Sequence, residues 1–597
     1  MDKIAILDFG SQFSHLLANR IRRLGVYSEI LDSDTPANEL KKYKGLIISG
    51  GPASVNAPDS PMVDPEIFNL NIPILGVCYG HQLIIKMLGG TVQKGTVGEY
   101  GLTSFTVQSA AHHLSKLSTQ TYQVYASHFD TVAELPAGFE SLGATPDDPL
   151  SATANPDRRI YTLQFHPEVT HSEGGMDILD AFVGITGATR DWSIEKFIEL
   201  EIASITEKVG DKKVFLLISG GVDSSVAYVL LAKALGPERI YAMYVDTGFM
   251  RLNETEEIRE FLTKAGVKDL HVYDAKQEYF DALKGKYDPE EKRKIIGDKF
   301  LEIQRKVAKD LSLNPDEWLL GQGTIYPDTI ESGGTKNADK IKTHHNRVPE
   351  IEEMIKAGKI IEPIKELYKD EVRMVGSRLG LPEKMVQRHP FPGPGLAVRC
   401  LCLDGEFPDK NAAYVESQLL SEYKMVAKVL PVKSVGVQGD ERTYRHPVVL
   451  SSDTHDWTQL RQLSPKITNA FSSVNRVLLN ITNSIETLSV TPGYLTPERI
   501  TKLQEADHLV MNALDDLDPD HKIWQFPTVL LPLSINSEGQ ESIVLRPVSS
   551  QEAMTANFTE LPWEKVQALA HDILKIEGIS AVFYDLTNKP PGTIEWE

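Results

Sequence analysis

The sequence predicts an α/β chain: two parallel-sheet domains followed by an α+β C-terminal domain that carries an insert. Three observations predict it. The chain has 597 residues, and at roughly 150–200 residues per domain that means three or four hydrophobic cores. Over most of the first two thirds, short apolar runs ending in Gly or Pro alternate with amphipathic helical patterns, the pattern of strands layered under helices. A Pro/Gly cluster, His389-Pro390-Phe391-Pro392-Gly393-Pro394-Gly395, then interrupts that alternation and opens a third region.

Taken in order, Lys3–Asp8, Gly45–Ser49, Ile74–Val77 and Ile160–Phe165 read as buried strands of the first region. The stretch Thr186–Trp192 breaks the pattern, which places a boundary near residue 190. The helical run Ile194–Glu207 leads into a second strand system, Val214–Ile218, Ile240–Val245, Leu270–Tyr273 and Trp318–Leu320. The expected domains are therefore 1–190, 191–395 and 396–597. Inside the third, about 445–540 differs from its flanks. It contains a helix over Pro497–Leu514, with Pro in its first turn and Ile500, Leu503, Leu509, Val510 and Leu514 on one face. Such a face must be buried, so this stretch reads as a folded insert.

Composition excludes several classes. Lys plus Arg number 62 against 83 Asp plus Glu, a net charge of -21. That excess favours solubility and opposes binding to a nucleic-acid backbone. Cys78, Cys400 and Cys402 are the only cysteines, too few for a disulfide framework in so long a chain. Met1-Asp2-Lys3 runs directly into the short apolar stretch Ile4-Ala5-Ile6-Leu7, so no signal peptide is expected, and no apolar run approaches the ~18–20 residues of a membrane span. The expected setting is the cytoplasm.

Two strings carry chemistry. Gly76-Val77-Cys78-Tyr79-Gly80-His81-Gln82 follows a strand and opens a helix. Small residues around Cys78 permit a tight turn that pushes the thiol outward, and the helix N-terminus favours negative charge there. Downstream, Gln164-Phe165-His166-Pro167-Glu168 ends a strand and supplies a base, His166, and a carboxylate, Glu168, to orient it. A lone Cys is usually a core residue, but the His-Pro-Glu run and Ser49-Gly50-Gly51-Pro52 on a third loop reverse that preference. Ser219-Gly220-Gly221-Val222-Asp223-Ser224-Ser225 likewise follows a strand and opens a helix over Val226–Leu235. Its glycines and three hydroxyls suit an anion, and no Gly-Lys-Ser/Thr of the Walker type ends it.

On these residues the first ~190 positions resemble class I glutamine amidotransferases. The resemblance implies that Cys78, His166 and Glu168 hydrolyse glutamine through a thioester, with backbone amides near Gly51 and Tyr79 forming the oxyanion hole. Gln82 and the loop Ser127-His128-Phe129-Asp130 would hold the glutamine. The Ser219–Ser225 loop resembles that of the ATP pyrophosphatases, which adenylylate an acceptor oxygen and release pyrophosphate. It implies ATP contacts from Ser219, Gly220, Gly221, Val222, Asp223, Ser224 and Ser225. Val245-Asp246-Thr247-Gly248 would face the adenosine, and Gly321, Gln322 and Gly323, with Tyr326, Asp328 and Glu331, would line the same crevice. Asp223 is the carboxylate expected near Mg²⁺, since MgATP is a substrate whose charge must be offset. The stretch Ser332–Arg347 suits a mobile basic lid. His344-His345 lacks ligand spacing, so neither zinc nor an organic cofactor is expected.

The acceptor is read from the third region. Arg388 to Leu396 and the final run Asn588-Lys589-Pro590-Pro591-Gly592-Thr593-Ile594-Glu595-Trp596-Glu597 resemble GMP synthetases. The resemblance implies xanthosine monophosphate (XMP) as acceptor and guanosine monophosphate (GMP) as product, with XMP contacts from Lys589, Ile594, Glu595, Gln438-Gly439-Asp440 and Arg546. The insert resembles that of the longer, eukaryote-type members. It stands beside the region through which compact members dimerise, which favours a monomer over a homodimer. Two other functions stay open at this point: the same chemistry on another acceptor, such as a deamido-dinucleotide or a tRNA, and a nucleotide-binding scaffold without catalysis.

Overall fold

The computed structural model describes residues 1–597 apart from 12, 265, 267–269, 311–315, 327–357, 439–440, 452–455, 483 and 551–555. Asp328, Glu331, the expected lid, Gly439 and Asp440 therefore lie outside the described residues. The chain divides into two compact units. Among the described residues the first comprises 1–205, 324–326 and 363–378, and the second 206–323, 358–362 and 379–597.

The first unit is built on a nine-stranded sheet. Five strands run parallel in the order Tyr27–Asp32, Lys3–Asp8, Gly45–Ile48, Ile74–Val77 and Ile160–Leu163. Ile4, Ala5, Ile6 and Leu7 are fully buried, as expected of strands covered on both faces. Beyond Ile160–Leu163 the sheet turns antiparallel, through Ala152–Asn155, Glu140–Ala144, Thr91–Val107 and Thr121–Glu134. The expected parallel sheet is thus a mixed one. Its outer strands sit half in water and alternate: Val124, Ala126 and His128 point inward between more exposed neighbours.

The first unit also runs past residue 190 and takes in 363–378. The helix Ser14–Arg23 explains why. Arg22, an otherwise costly buried cation, reaches Glu371 at 3.2 Å and the carbonyl of Glu366. It also lies against the rings of Tyr27, Trp192 and Tyr368. One turn of that helix thereby ties the sheet to a segment some 350 positions later.

In the second unit, Leu270–Asp274, Ile240–Asp246, Lys213–Ile218, Trp318–Gly321 and Ile360–Ile361 form a five-stranded, wholly parallel sheet in that order. A further seven-stranded sheet has the path Val426–Val429, Glu441–Ser451, Val474–Asn480, Ile579–Asp585, Glu541–Leu545 and Thr528–Leu531, with Ser434–Gln438 paired to Glu441–Ser451. The stretch 445–540 supplies Val474–Asn480, Thr528–Leu531 and most of Glu441–Ser451, so it shares one core with its flanks. The helix expected at Pro497–Leu514 spans Pro497–Leu517, begins with Thr496 capping Arg499 N, and buries Ile500, Leu503 and Val510.

Candidate active site

In the first unit three neighbouring parallel strands end at one sheet edge. Ile48 lies beside Gly76, and Val77 beside Leu163. The loops that follow them carry Ser49-Gly50-Gly51, Cys78 and His166, so residues 27 to 117 positions apart meet because their strands are in register. Cys78 stands between the strand Ile74–Val77 and the helix Tyr79–Met87 with φ 54 and ψ -106. A non-glycine residue held there stores about 1–3 kcal/mol of strain, and the surroundings maintain it. Cys78 N donates to Leu163 O at 2.8 Å and Gly80 N to Ser49 O at 3.1 Å. A side chain at Gly80 would place its Cβ 2.2 Å from Ile48 O, and one at Gly76 would meet Gly80 O at 2.6 Å. The flanking glycines are therefore a packing requirement of the turn.

His166 Nδ1 lies 2.7 Å from Glu168 Oε1, with both side chains buried. Burial opposes the charged imidazole, yet Glu168 and then Cys78 outweigh it and hold His166 protonated well above the usual imidazole range. The His166 carbonyl accepts from Ser172 Oγ, the Phe13 ring stands edge-on at 5.0 Å, and Arg20 Nε donates to the Glu168 carbonyl. A Cβ built on Gly50 would sit 3.0 Å from His166 Cε1 and 3.5 Å from Cys78 Cβ, so Gly50 packs against both groups. Gly51 is as tight, since its Cβ would come 2.6 Å from Phe9 O. A strained cysteine next to an imidazolium held by a carboxylate is an arrangement for nucleophilic acyl transfer.

Behind this edge the glutamine-holding candidates separate. The Ser127 carbonyl accepts from Cys78 Sγ at 3.7 Å. Gln82 is buried, and its Nε2 donates to Asp130 O at 2.8 Å and Gln164 Oε1 at 3.1 Å. His128 is also buried and turns to Glu99 at 3.0 Å. Neither side chain is aimed into open space; both brace the loop from Ser127 to Asp130. Glu99 and Arg20 escaped the sequence reading. A lone carboxylate within an alternating strand is normally a solvated one, and only tertiary pairing reveals its partner.

The second unit repeats the strand-edge logic. The Ser219–Ser225 loop follows the central strand Lys213–Ile218 and opens the helix Val222–Leu235, which begins four residues before the expected Val226. Gly220 has φ 79, and Ser224 Oγ accepts from Ser219 N and donates to Gly221 O. Asp223 is half-buried at the mouth of the helix. On one side lie buried Val245 and Asp246, whose carboxylate accepts from Gly248 N and Thr255 Oγ1 and pairs with Lys276. On the other, Gln322 N donates to Ile361 O, and a Cβ on Gly323 would come within 2.9 Å of the Ser224 backbone. Arg388 donates to Gly220 O at 3.0 Å and pairs with Glu254, which ties the start of the Pro/Gly cluster to the loop. Tyr326 belongs to the first unit, where its ring lies 5.3 Å from that of Tyr368. Among the described residues no group of three or more His, Cys, Asp or Glu is placed to hold a metal ion.

The C-terminal run is folded inward. Arg476 and Arg546, both fully buried, share the Asp585 carboxylate at 3.0 and 2.8 Å. Arg546 donates further to the carbonyls of Thr587, Thr593 and Ile594, and Arg476 to those of Val435, Thr593 and Glu595. Arg546 thus has no exposed donor and acts as a brace for the tail. The Glu595 carboxylate lies on Arg399 at 2.8 and 2.9 Å, and Glu597 on Lys292. Lys589 is half-buried, its backbone paired with Ala556. A cavity of about 720 Å³ is lined by Val437, Arg445, Ser464, Thr468, Asn588 and Pro590 among others, and of these Val437, Asn588 and Pro590 adjoin Gln438 and Lys589 in the chain.

Fold and site together define a glutamine amidotransferase joined to an ATP-using synthetase, and comparison with known proteins agrees. The family model "Glutamine amidotransferase class-I" matches residues 5–185, "NAD synthase" 194–302, and "GMP synthase C terminal domain" 415–487 and 512–596. A "Probable GMP synthase", glutamine-hydrolyzing, of Leptospira interrogans is 48% identical over 100% of this chain and 99% of that protein. One of Caenorhabditis elegans is 37% identical over 100% and 92%, and a GMP synthase of Aquifex aeolicus is 43% identical over 80% and 97%. The chain belongs to the glutamine-hydrolysing GMP synthase family. The third family model leaves 488–511 unmatched, a narrower gap than 445–540.

Proposed function

We propose that the chain makes GMP from XMP, glutamine and ATP, with its chemistry split between two strand-edge sites. Cys78 attacks the glutamine side-chain amide as the thiolate, its proton already held on His166, which gives that proton to the leaving ammonia while Glu168 keeps the ring charged and oriented. Backbone amides at Gly51 and Tyr79 stabilise the oxyanion, and water then releases glutamate from the thioester. At the second site the Ser219–Ser225 loop, with Val245, Gly321, Gln322 and Gly323, binds ATP. Magnesium arrives with the ATP phosphates, and Asp223 is the carboxylate on the loop able to meet it. The purine C2 oxygen of XMP attacks the α-phosphate and releases pyrophosphate, and ammonia then displaces AMP. Gln438 and Lys589, whose chain neighbours line the cavity, belong to the XMP side with Ile594 and Glu595, and Arg546 fixes the backbone of the tail.

We assign amidotransferase, synthetase and acceptor-binding roles to 1–190, 191–395 and 396–597, and read the protein as a cytoplasmic monomer that binds no nucleic acid. No helix among the described residues is long and apolar enough to cross a membrane.

The observation that carries the division of labour is the Cys78 turn with His166 held by Glu168. Cys78→Ala is expected to abolish GMP formation from glutamine while ammonium chloride still supports it; equal loss with both nitrogen sources would refute the division. Lys589→Ala is expected to raise the KM for XMP about tenfold or more with little change in that for ATP.

A further inference from the structure

His128 Nδ1 lies 3.1 Å from the Asp130 carbonyl oxygen and Nε2 lies 3.0 Å from a Glu99 carboxylate oxygen. A carbonyl can only accept, so Nδ1 carries a proton, and the Nε2 contact requires a second one between the ring and Glu99. The pair therefore holds one proton more than a neutral imidazole beside a carboxylate. Thr145 Oγ1 and Thr103 Oγ1 donate to Glu99 at 2.9 and 3.0 Å, which favours imidazolium and carboxylate. Burial pushes the Glu99 carboxyl up, and the bonds from His128, Thr145 and Thr103 outweigh it and bring it below the usual range. Two further ionisable groups face the pair. Burial raises the Asp148 carboxyl and drives His81 to the neutral form.

Through His128 this network reaches the 127–130 loop, on which other bonds also converge. Asp130 O accepts from His128 and from Gln82, the Asp130 carboxylate accepts from Ser54 Oγ, and Ser127 O accepts from Cys78 Sγ. We propose that Glu99, acting through a protonated His128, is a positioning residue for glutamine hydrolysis, setting the 127–130 loop against the Cys78 thiol. The proposal rests on Cys78 being the glutamine nucleophile. With Glu99→Gln a neutral amide replaces the carboxylate facing Nε2, so the charge-assisted bond that fixes His128 is lost, and with it the firm hold of the ring on the Asp130 carbonyl.

The test is steady-state GMP formation by the full chain with glutamine and, separately, with ammonium. Glu99→Gln is expected to lower kcat/KM for glutamine about tenfold or more, mostly through KM, while ammonium-supported turnover stays within twofold. Glu99→Asp, which keeps the charge, is expected to recover part of the glutamine KM, and iodoacetamide should still inactivate glutamine use in Glu99→Gln. An equal loss with both nitrogen sources would make the pair a general structural element, and an unchanged glutamine KM would remove its role; either result overturns the proposal. Cys78→Ala, run in parallel, separates this from the assignment beneath it: glutamine-supported activity surviving in that variant would unseat the nucleophile and not merely the positioning pair.

Discussion

At the scale of single residues, the amidotransferase edge depends on atoms that are missing as much as on those present. Gly50 has its Cα where any side chain would point between His166 and Cys78. A Cβ at 3.0 Å from the imidazole is tight enough to move the ring by a few tenths of an ångström, and misplacements of that order cost catalysis far more than stability. Gly50→Ala is expected to reduce glutamine-supported GMP formation 10- to 100-fold and to leave the ammonium-supported rate and the melting temperature nearly unchanged. The charge on His166 gives a second prediction. Its pKa in the fold is raised above the ordinary 6.5, so the stabilisation from Glu168 is fully present below that value and fades as pH rises through the folded pKa. The stability deficit of Glu168→Gln, followed by thermal unfolding, is expected to be fully present below pH 6.5 and to shrink only as the pH is raised above it, through the folded pKa of His166.

At the scale of elements, the C-terminal tail shows how a surface-looking sequence becomes a core. Asp585 ends the fully buried strand end of Ile579–Asp585 and neutralises two guanidinium groups that between them bind five carbonyls of the tail and its neighbours. Removing one partner of a buried ion cluster costs about 3–5 kcal/mol, because the remaining charge has no water to replace it. Asp585→Asn is expected to lose that much in urea unfolding and to raise the KM for XMP, while glutamine hydrolysis measured alone is spared. The strands themselves were legible: Lys3–Asp8, Ile74–Val77, Ile240–Asp246 and Trp318–Gly321 were found within a residue, since an uninterrupted apolar run bounded by Gly or charge has few other uses. The antiparallel edge strands were not. Thr91–Val107 and Thr121–Glu134 are half exposed and polar, and their pairing follows from each other more than from either sequence.

For the whole molecule, the linear boundary near residue 190 and the compact units differ, and the reason is Arg22. A fragment ending at 190 keeps this cation but lacks Trp192, Glu366, Tyr368 and Glu371. Such a fragment is expected to be less stable than the same region in the full chain by about 3–5 kcal/mol. Arg22→Leu should raise the melting temperature of the fragment and lower that of the full chain, a crossover that calorimetry on four samples would show. If the substitution acted in the same direction in both, the segment 363–378 would not be what holds Arg22.

By itself the sequence announced the central parallel strands, the two strand-to-helix turns that carry Cys78 and Ser219–Ser225, and the His166-Pro167-Glu168 run, because each follows local order: an apolar run and then a chemical group at its end. Tertiary structure alone decided that Gly50 touches both members of the thiol–imidazole pair, and that Gln82 and His128 turn to Gln164 and Glu99. It also decided that Arg546 is a buried brace and that residues 363–378 complete the first unit. These are all pairings across long stretches of chain. A buried charge or amide takes its meaning from the partner that replaces water, and that partner is chosen by strand register and packing, which no local pattern records.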